Sequence, residues 1–128
     1  MAKILLVEDE KDIREVYLDI LTANGHSVET AEDGNTALTK MQQGGWDIVL
    51  LDIMLPQING IDIMHKITEQ PPVNPNKAVV FLTNIDQGEE IKKALSLGSG
   101  YIMKSQISPG DLIELVNVYL KQQTPQTQ

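Results

Sequence analysis

Three short, almost purely aliphatic runs limit what this chain can fold into: Lys3-Ile-Leu-Leu-Val7, Asp47-Ile-Val-Leu-Leu-Asp52 and Ala78-Val-Val-Phe-Leu-Thr83. A run with no alternating polar residue has no face to turn to water, so as a strand it must be covered on both sides. Each run is rich in strand formers and too short for an ordinary helix. The segments between them carry helical spacing instead. Ile13, Val16, Tyr17, Ile20 and Leu21 recur on one stripe from about Asp12 to Asn24, and Gly25 is placed to close that helix as its C′ residue. Ala37, Leu38 and Met41 mark a second helix, stopped at Gly44-Gly45. Ile61, Met64 and Ile67 mark a third, and Ile91, Ala94, Leu95 and Leu97 a fourth that ends at Gly98. Shorter strands are predicted near Ser27 to Thr30 and over Tyr101-Ile-Met103. Ser108-Pro-Gly-Asp111 opens a last helix running to about Lys121, with Ser at the N-cap, Pro at the first helical position and an acid suited to a capping box. Leu55-Pro-Gln-Ile-Asn-Gly60 reads as a turn in which Asn59 and Gly60 suit unusual backbone angles, and Pro71, Pro72 and Pro75 stiffen a connector.

Strands alternating with helices in this way predict one five-stranded parallel sheet, because parallel neighbours need crossover connections. Helices then cover both faces, giving a three-layer α/β/α domain. A chain of 128 residues with 41% hydrophobic content suits a single core, expected over residues 1–122, with a flexible polar tail over 123–128. The formal net charge of -8 leaves no basic stripe for neutralising phosphates, so neither direct nucleic-acid binding nor anionic-membrane binding is expected. The absence of cysteine excludes disulfides, thiolate catalysis and zinc-thiolate sites. No run approaches the roughly 18 apolar residues of a membrane span, and the apolar run after Lys3 is too short for a secretion signal, so a cytoplasmic location is expected.

In open parallel sheets the functional groups gather at the carboxyl ends of the strands. Glu8 and Asp9 follow the first strand, Asp52 ends the third, Thr83 ends the fourth and Lys104 follows the fifth, so parallel geometry brings all five to one rim. Any one of them alone is most simply a solvated loop residue; their joint placement is what points to a site. Three crowded carboxylates raise one another's pKa unless a cation joins them, and oxygen-only ligands on an open rim favour Mg2+. A carboxylate nucleophile flanked by a metal, a hydroxyl and an ammonium is suited to stabilising a transferring phosphoryl group.

These elements resemble the receiver domain of bacterial two-component response regulators over about residues 3 to 121. The likeness is carried by Glu8-Asp9, Asp52 followed by Met54-Leu55-Pro56 and Asn59-Gly60, Thr83, and Tyr101-Ile-Met-Lys104 before a final helix. It implies a doubly wound, flavodoxin-like sheet in the order 2-1-3-4-5. It implies that Asp52 is the phosphoacceptor, Asp9 a direct Mg2+ ligand, Glu8 an indirect one through water, and the Met54 backbone carbonyl a further ligand. Thr83 and Lys104 would bind phosphoryl oxygens, and Tyr101 would be an aromatic switch coupled to Thr83. The implied partners are a sensor histidine kinase or phosphotransfer protein and a downstream protein met through the fourth helix, fifth strand and fifth helix.

Two positions depart from the family pattern. Ser105 stands where a proline usually follows the lysine, and a cis bond before a non-proline costs roughly 2.5–4 kcal/mol, so a trans Lys104–Ser105 peptide is expected. Asn84 is larger than the small residue common after the threonine and narrows access to the phosphoryl group, while Ile85 cannot orient an attacking water. Slow self-dephosphorylation is therefore expected. Two other readings compete: a phosphorylation-independent pseudo-receiver, and an aspartyl-phosphate phosphatase, for which Met54 replaces the needed second Asp. A dinucleotide-binding fold is disfavoured because Glu8-Asp9-Glu10 would repel phosphates after the first strand.

His26 and His65 lack a nearby partner at metal-binding spacing and read as surface or packing residues. Met54, Met64 and Met103 read as core filler in their side chains. Leu112, Ile113, Leu115, Val116, Val118, Tyr119 and Leu120 exceed what one core stripe requires, which reads first as a wide core face and second as a homodimer face.

Overall fold

In the computed structural model, the aliphatic runs form the centre of a single sheet. The structure describes residues 2–83, 92, 96, 98, 100–104 and 107–123, with Thr83, Gln122 and Gln123 by backbone alone. The elements are β1 (Lys3–Val7), α1 (Lys11–Ala23), β2 (Ser27–Ala31), α2 (Gly34–Gln43), β3 (Ile48–Asp52), α3 (Gly60–Glu69), β4 (Val79–Thr83), β5 (Gly100–Met103) and α4 (Pro109–Gln123). The strands pair in parallel in the order β2-β1-β3-β4-β5, as expected. Of the predicted helix over Ile91 to Leu97 only Lys92 and Ser96 are described, both helical; Asn84, Ile85, the Lys104–Ser105 peptide and the tail beyond Gln123 lie outside the described residues.

Alternate side chains of each buried strand feed different layers. Leu5, Val7, Val49, Leu51 and Phe81 pack with Ala37 and Met41 of α2 and Ile63, Met64 and Ile67 of α3. Ile4, Leu6, Ile48, Leu50, Val80 and Leu82 face the other way, against Tyr17 and Leu21 of α1 and Leu112 and Val116 of α4. All five residues of β3 are buried, so this strand has no solvent face at all. At roughly 1.5–3 kcal/mol for each fully buried aliphatic side chain, the two layers supply the main driving force for folding.

Local chemistry closes the helices as anticipated. Gly25 adopts φ +91, its N–H donates to the Thr22 carbonyl, and the His26 N–H donates to Leu21, the paired bonds of a Schellman motif. Ser108 and Asp111 exchange side-chain-to-backbone bonds of 3.2 Å each way, completing a capping box for α4. The loop after β3 departs from expectation. Its one positive φ belongs to Gln57 (+76); Asn59 is extended and caps α3 by accepting the Asp62 N–H at 2.9 Å. Gly60 is required for space instead, because a Cβ there would lie 2.4 Å from the Asp52 carbonyl oxygen.

At the opposite end of the sheet the proline-containing connector is tied down. The Gly45 N–H donates to Asn74, the Lys77 N–H to the Trp46 carbonyl, and the Asn76 amide to the Met41 carbonyl. Trp46 is buried beneath them, its indole N–H donating to the Lys40 carbonyl at 2.9 Å.

His26 has a packing role. Its Nδ1 accepts the Ala2 N–H at 3.2 Å, which assigns the ring proton to Nε2, a buried atom with no acceptor among the described residues. Burial lowers its pKa below 6.5, since a charged ring would lose water and meet an N–H donor. The neutral ring's contribution is complete above about pH 6.5 and is lost as pH falls through the depressed folded value. The stability difference between wild type and His26→Gln, measured by urea unfolding, should therefore shrink or reverse between pH 7 and pH 5.

Candidate functional site

The carboxyl ends of β1, β3 and β5 meet at one rim. Glu8 follows β1, and its N–H continues the sheet by donating to the Ala31 carbonyl at 3.1 Å. Asp52 is the last residue of β3, and Lys104 follows β5. Glu8 is fully buried and Asp52 is 2% exposed, the only charged residues so enclosed among those described, whereas Asp9 beside them is exposed. Carboxylate oxygens of Glu8, Asp9 and Asp52 come within 4.8 Å of one another.

Lys104 holds this cluster together. Its Nζ lies 2.9 Å from Glu8 Oε1 and 3.2 Å from Asp52 Oδ2, with the lysine side chain itself 8% exposed. The remaining oxygens have backbone donors: the Glu10 N–H reaches Glu8 Oε2 at 3.1 Å, and the Met54 N–H reaches Asp52 Oδ1 at 3.2 Å. One ammonium cannot fully offset two buried carboxylates. Burial, and then the negative charge of Glu8, push the Asp52 carboxyl up to about 7, against the opposing pull of Lys104. For Lys104 burial alone would lower the pKa, but the hydrogen bond to Glu8 and the charges of both acids outweigh it and raise it.

The donor set fits a hard divalent cation. Clustered carboxylate oxygens, one of them at an exposed residue open to water, match Mg2+ ligation, and the lysine ammonium already stands as a cation against two of the acids.

Of the other residues singled out in the sequence, Thr83 ends β4 opposite Met103, beside Asp52, which pairs with Leu82. Tyr101 lies on β5 and is 37% exposed. The side chain of Met54 is exposed rather than core filler, because it sits in the loop beyond the sheet; Met64 is buried as expected. His65 is exposed on α3. Val16, included in the apolar stripe of α1, is 52% exposed, and Val118 of α4 is 49% exposed, so neither helix buries its whole apolar set. Sequence reasoning passed over Arg14, which touches the backbone of the acidic pair; its position one turn into α1, six residues from Glu8, was the available signal.

The sequence profile described as response regulator receiver domain matches residues 4–117. The chain belongs to this family. It is 39% identical over 114 residues to the uncharacterized transcriptional regulatory protein YcbL of Bacillus subtilis, covering 87% of this chain and 46% of that one. It is 32% identical over 120 residues to the transcriptional regulatory protein DltR of Streptococcus agalactiae, covering 94% and 52%. The chain thus spans about half the length of these relatives. Among solved structures it is similar to the receiver domain of Francisella response regulator 1452 (TM-score 0.84, 27% identity, 97% of this chain and 100% of that one). It is also similar to response regulator TrrA from Thermotoga maritima, solved in complex with Mg(2+)-BeF (TM-score 0.78, 30% identity, 94% and 100%). Within this receiver domain the acidic cluster is the one group of its kind among the described residues. No helix among them is long and apolar enough to cross a membrane.

Two measurements probe this geometry. Because the folded protein holds the Asp52 proton more tightly than the unfolded chain does, the stability linked to Asp52 is full below about pH 4 and lost as pH rises through 7. Without divalent cation, Asp52→Asn should be more stable than wild type at pH 7.5 by on the order of 1–3 kcal/mol and should lose that advantage towards pH 4 in urea titrations. Gly60→Ala, which forces a methyl against the Asp52 carbonyl, should lower the urea-derived stability by roughly 1–3 kcal/mol.

Proposed function

We propose that this receiver domain is a phosphorylation switch in which Asp52 accepts a phosphoryl group from a histidine kinase or phosphotransfer protein. The observation that carries this reading is the enclosed Asp52 carboxylate held between the Met54 N–H and Lys104 at the end of β3. Glu8, Asp9, Asp52 and the Met54 carbonyl would hold Mg2+, with Glu8 acting through water. Bound there, the ion supplies positive charge that keeps the carboxylates ionised and offsets charge on the phosphoryl oxygens.

The chemistry asked of the protein is positioning. An Asp52 carboxylate oxygen forms a bond to phosphorus as the bond from phosphorus to the donor's histidine nitrogen breaks, and that nitrogen leaves with the electron pair. Lys104, already against Asp52, exchanges a carboxylate contact for a phosphoryl oxygen, and the Thr83 hydroxyl donates to another. Neither step makes the domain a turnover enzyme; its own activity is limited to taking the group and slowly losing it. By residue type alone, Ile85 offers no group to orient a hydrolytic water, and Asn84 is bulkier than the small residue common at that position in the family.

Movement of Thr83 would let Tyr101 turn inward and alter a face made by β5, the last helix and the predicted helix before β5. Tyr101 borders a groove of about 630 Å³ between β5 and α4, lined also by Met103, Ile107, Leu115 and Val118, which suits a downstream protein or a second copy of the chain. The relatives' greater length leaves the identity of the output open to an attached domain or to a separate partner.

Incubation with Mg2+ and acetyl phosphate, followed by intact-mass measurement, should show one added phosphoryl group that is absent in Asp52→Asn. The label should persist for many minutes after donor removal. An unmodified wild-type mass would sink the proposal, and loss of label within seconds would refute the slow-hydrolysis part.

A further inference from the structure

Glu8 and Asp9 lie on a loop whose carboxylates repel one another, so something must hold its backbone in place. That contact comes from Arg14, whose Nη1 donates to the carbonyls of Glu8 at 3.0 Å and Asp9 at 3.4 Å. Its Nη2 pairs with Glu32 Oε1 at 2.9 Å, and the arginine side chain is only 12% exposed. The guanidinium is thus a planar fork joining the loop after β1 to the segment before α2.

That segment is in turn clasped to the loop after β3. The Gly34 N–H donates to the Pro56 carbonyl at 3.0 Å, and the Asn35 N–H donates to Gln57 Oε1 at 3.3 Å, the residue with the one positive φ outside glycine among those described. The approach at Gly34 is so close that a Cβ would lie 2.2 Å from the Ile58 carbonyl oxygen. A continuous set of contacts therefore runs from the acidic pair through Arg14, Glu32 and the start of α2 to the loop that begins beside Asp52.

We propose that Arg14 is a positioning residue for the cation site, fixing the Glu8–Asp9 backbone relative to Asp52 and the Met54 carbonyl through this brace. The inference rests on the reading that the acidic cluster binds Mg2+. Two physical effects of Arg14 have opposite signs. As a nearby positive charge it repels Mg2+, so its removal would tighten binding. As a brace it pre-organises the ligands, so its removal weakens binding. The geometry favours the second, because three hydrogen-bond acceptors already occupy the guanidinium.

Calorimetric titration with Mg2+ decides the sign, using wild type, Arg14→Met, Arg14→Lys, Glu32→Gln and Asp9→Asn, each first checked by metal-free urea unfolding. Arg14→Met should raise the dissociation constant about tenfold. Arg14→Lys, which keeps the charge but not the fork, should recover only part of the affinity. Glu32→Gln, at the exposed end, should have a smaller effect of the same sign. In acetyl phosphate labelling, Arg14→Met should raise the Mg2+ concentration for half-maximal rate and leave the rate at saturating Mg2+ unchanged. Binding by Arg14→Met as tight as or tighter than wild type would overturn the brace, as would wild-type affinity in Arg14→Lys should Arg14→Met fail to fold. If Asp9→Asn loses Mg2+ while the Arg14 variants do not, the brace alone fails; if wild type binds no Mg2+, the metal reading fails and the brace with it.

Discussion

Lys104 reaches across three strand ends to touch Glu8 at 2.9 Å and Asp52 at 3.2 Å, and the arrangement of the whole rim depends on that contact. The two acids are enclosed by the same burial that makes the sheet stable, so without a cation they could not share the space as carboxylates. A single ammonium shared by both acids is an economical neutraliser for such a site. It holds the acids together, and under the proposed phosphoacceptor role it would exchange one of them for a phosphoryl oxygen.

The residual imbalance is part of the design. Asp52 sits with its pKa near neutrality because burial and Glu8 together outweigh one lysine, which leaves the site short of positive charge. A divalent cation resolves that shortage more completely than a proton does, since it leaves the carboxylate oxygens ionised. Stability given up at the rim is offset in the two aliphatic layers, where β3 is buried along its full length. Stabilisation and chemistry are thus spatially separated along single strands: aliphatic residues through the sheet, and a carboxylate where β3 ends.

The two ends of the sheet are held in different ways. Away from the site, Trp46 and the connector are tied by direct bonds from Asn76 and Lys77, supported by Lys3 over the indole ring at 4.5 Å. Around the site, Arg14 holds the Glu8 and Asp9 carbonyls, the Gly34 N–H donates to the Pro56 carbonyl and the Asn35 N–H donates to Gln57 Oε1, none of which uses a carboxylate oxygen of Glu8, Asp9 or Asp52. Gly60 allows α3 to begin directly against the Asp52 carbonyl. These contacts position Asp52 without taking up its carboxylate oxygens.

The aliphatic runs and helical spacings by themselves determined the layer architecture, because a strand with no polar alternate must be covered twice and parallel strands need crossovers. Parallel direction then brought Glu8, Asp9, Asp52 and Lys104 to one rim, since chain order alone assigns carboxyl ends. Tertiary structure decided which atoms meet: Lys104 bridging Glu8 and Asp52, and Asp9 left open to water. It also moved the strained backbone position from Asn59-Gly60 to Gln57 and turned Met54 outward. Those outcomes depend on how α2 and α3 crowd the loop after β3. For Arg14 the sequence offered only its place one turn into α1, near the carbonyls of Glu8 and Asp9; its pairing with Glu32 arises only when β2 lies beside β1.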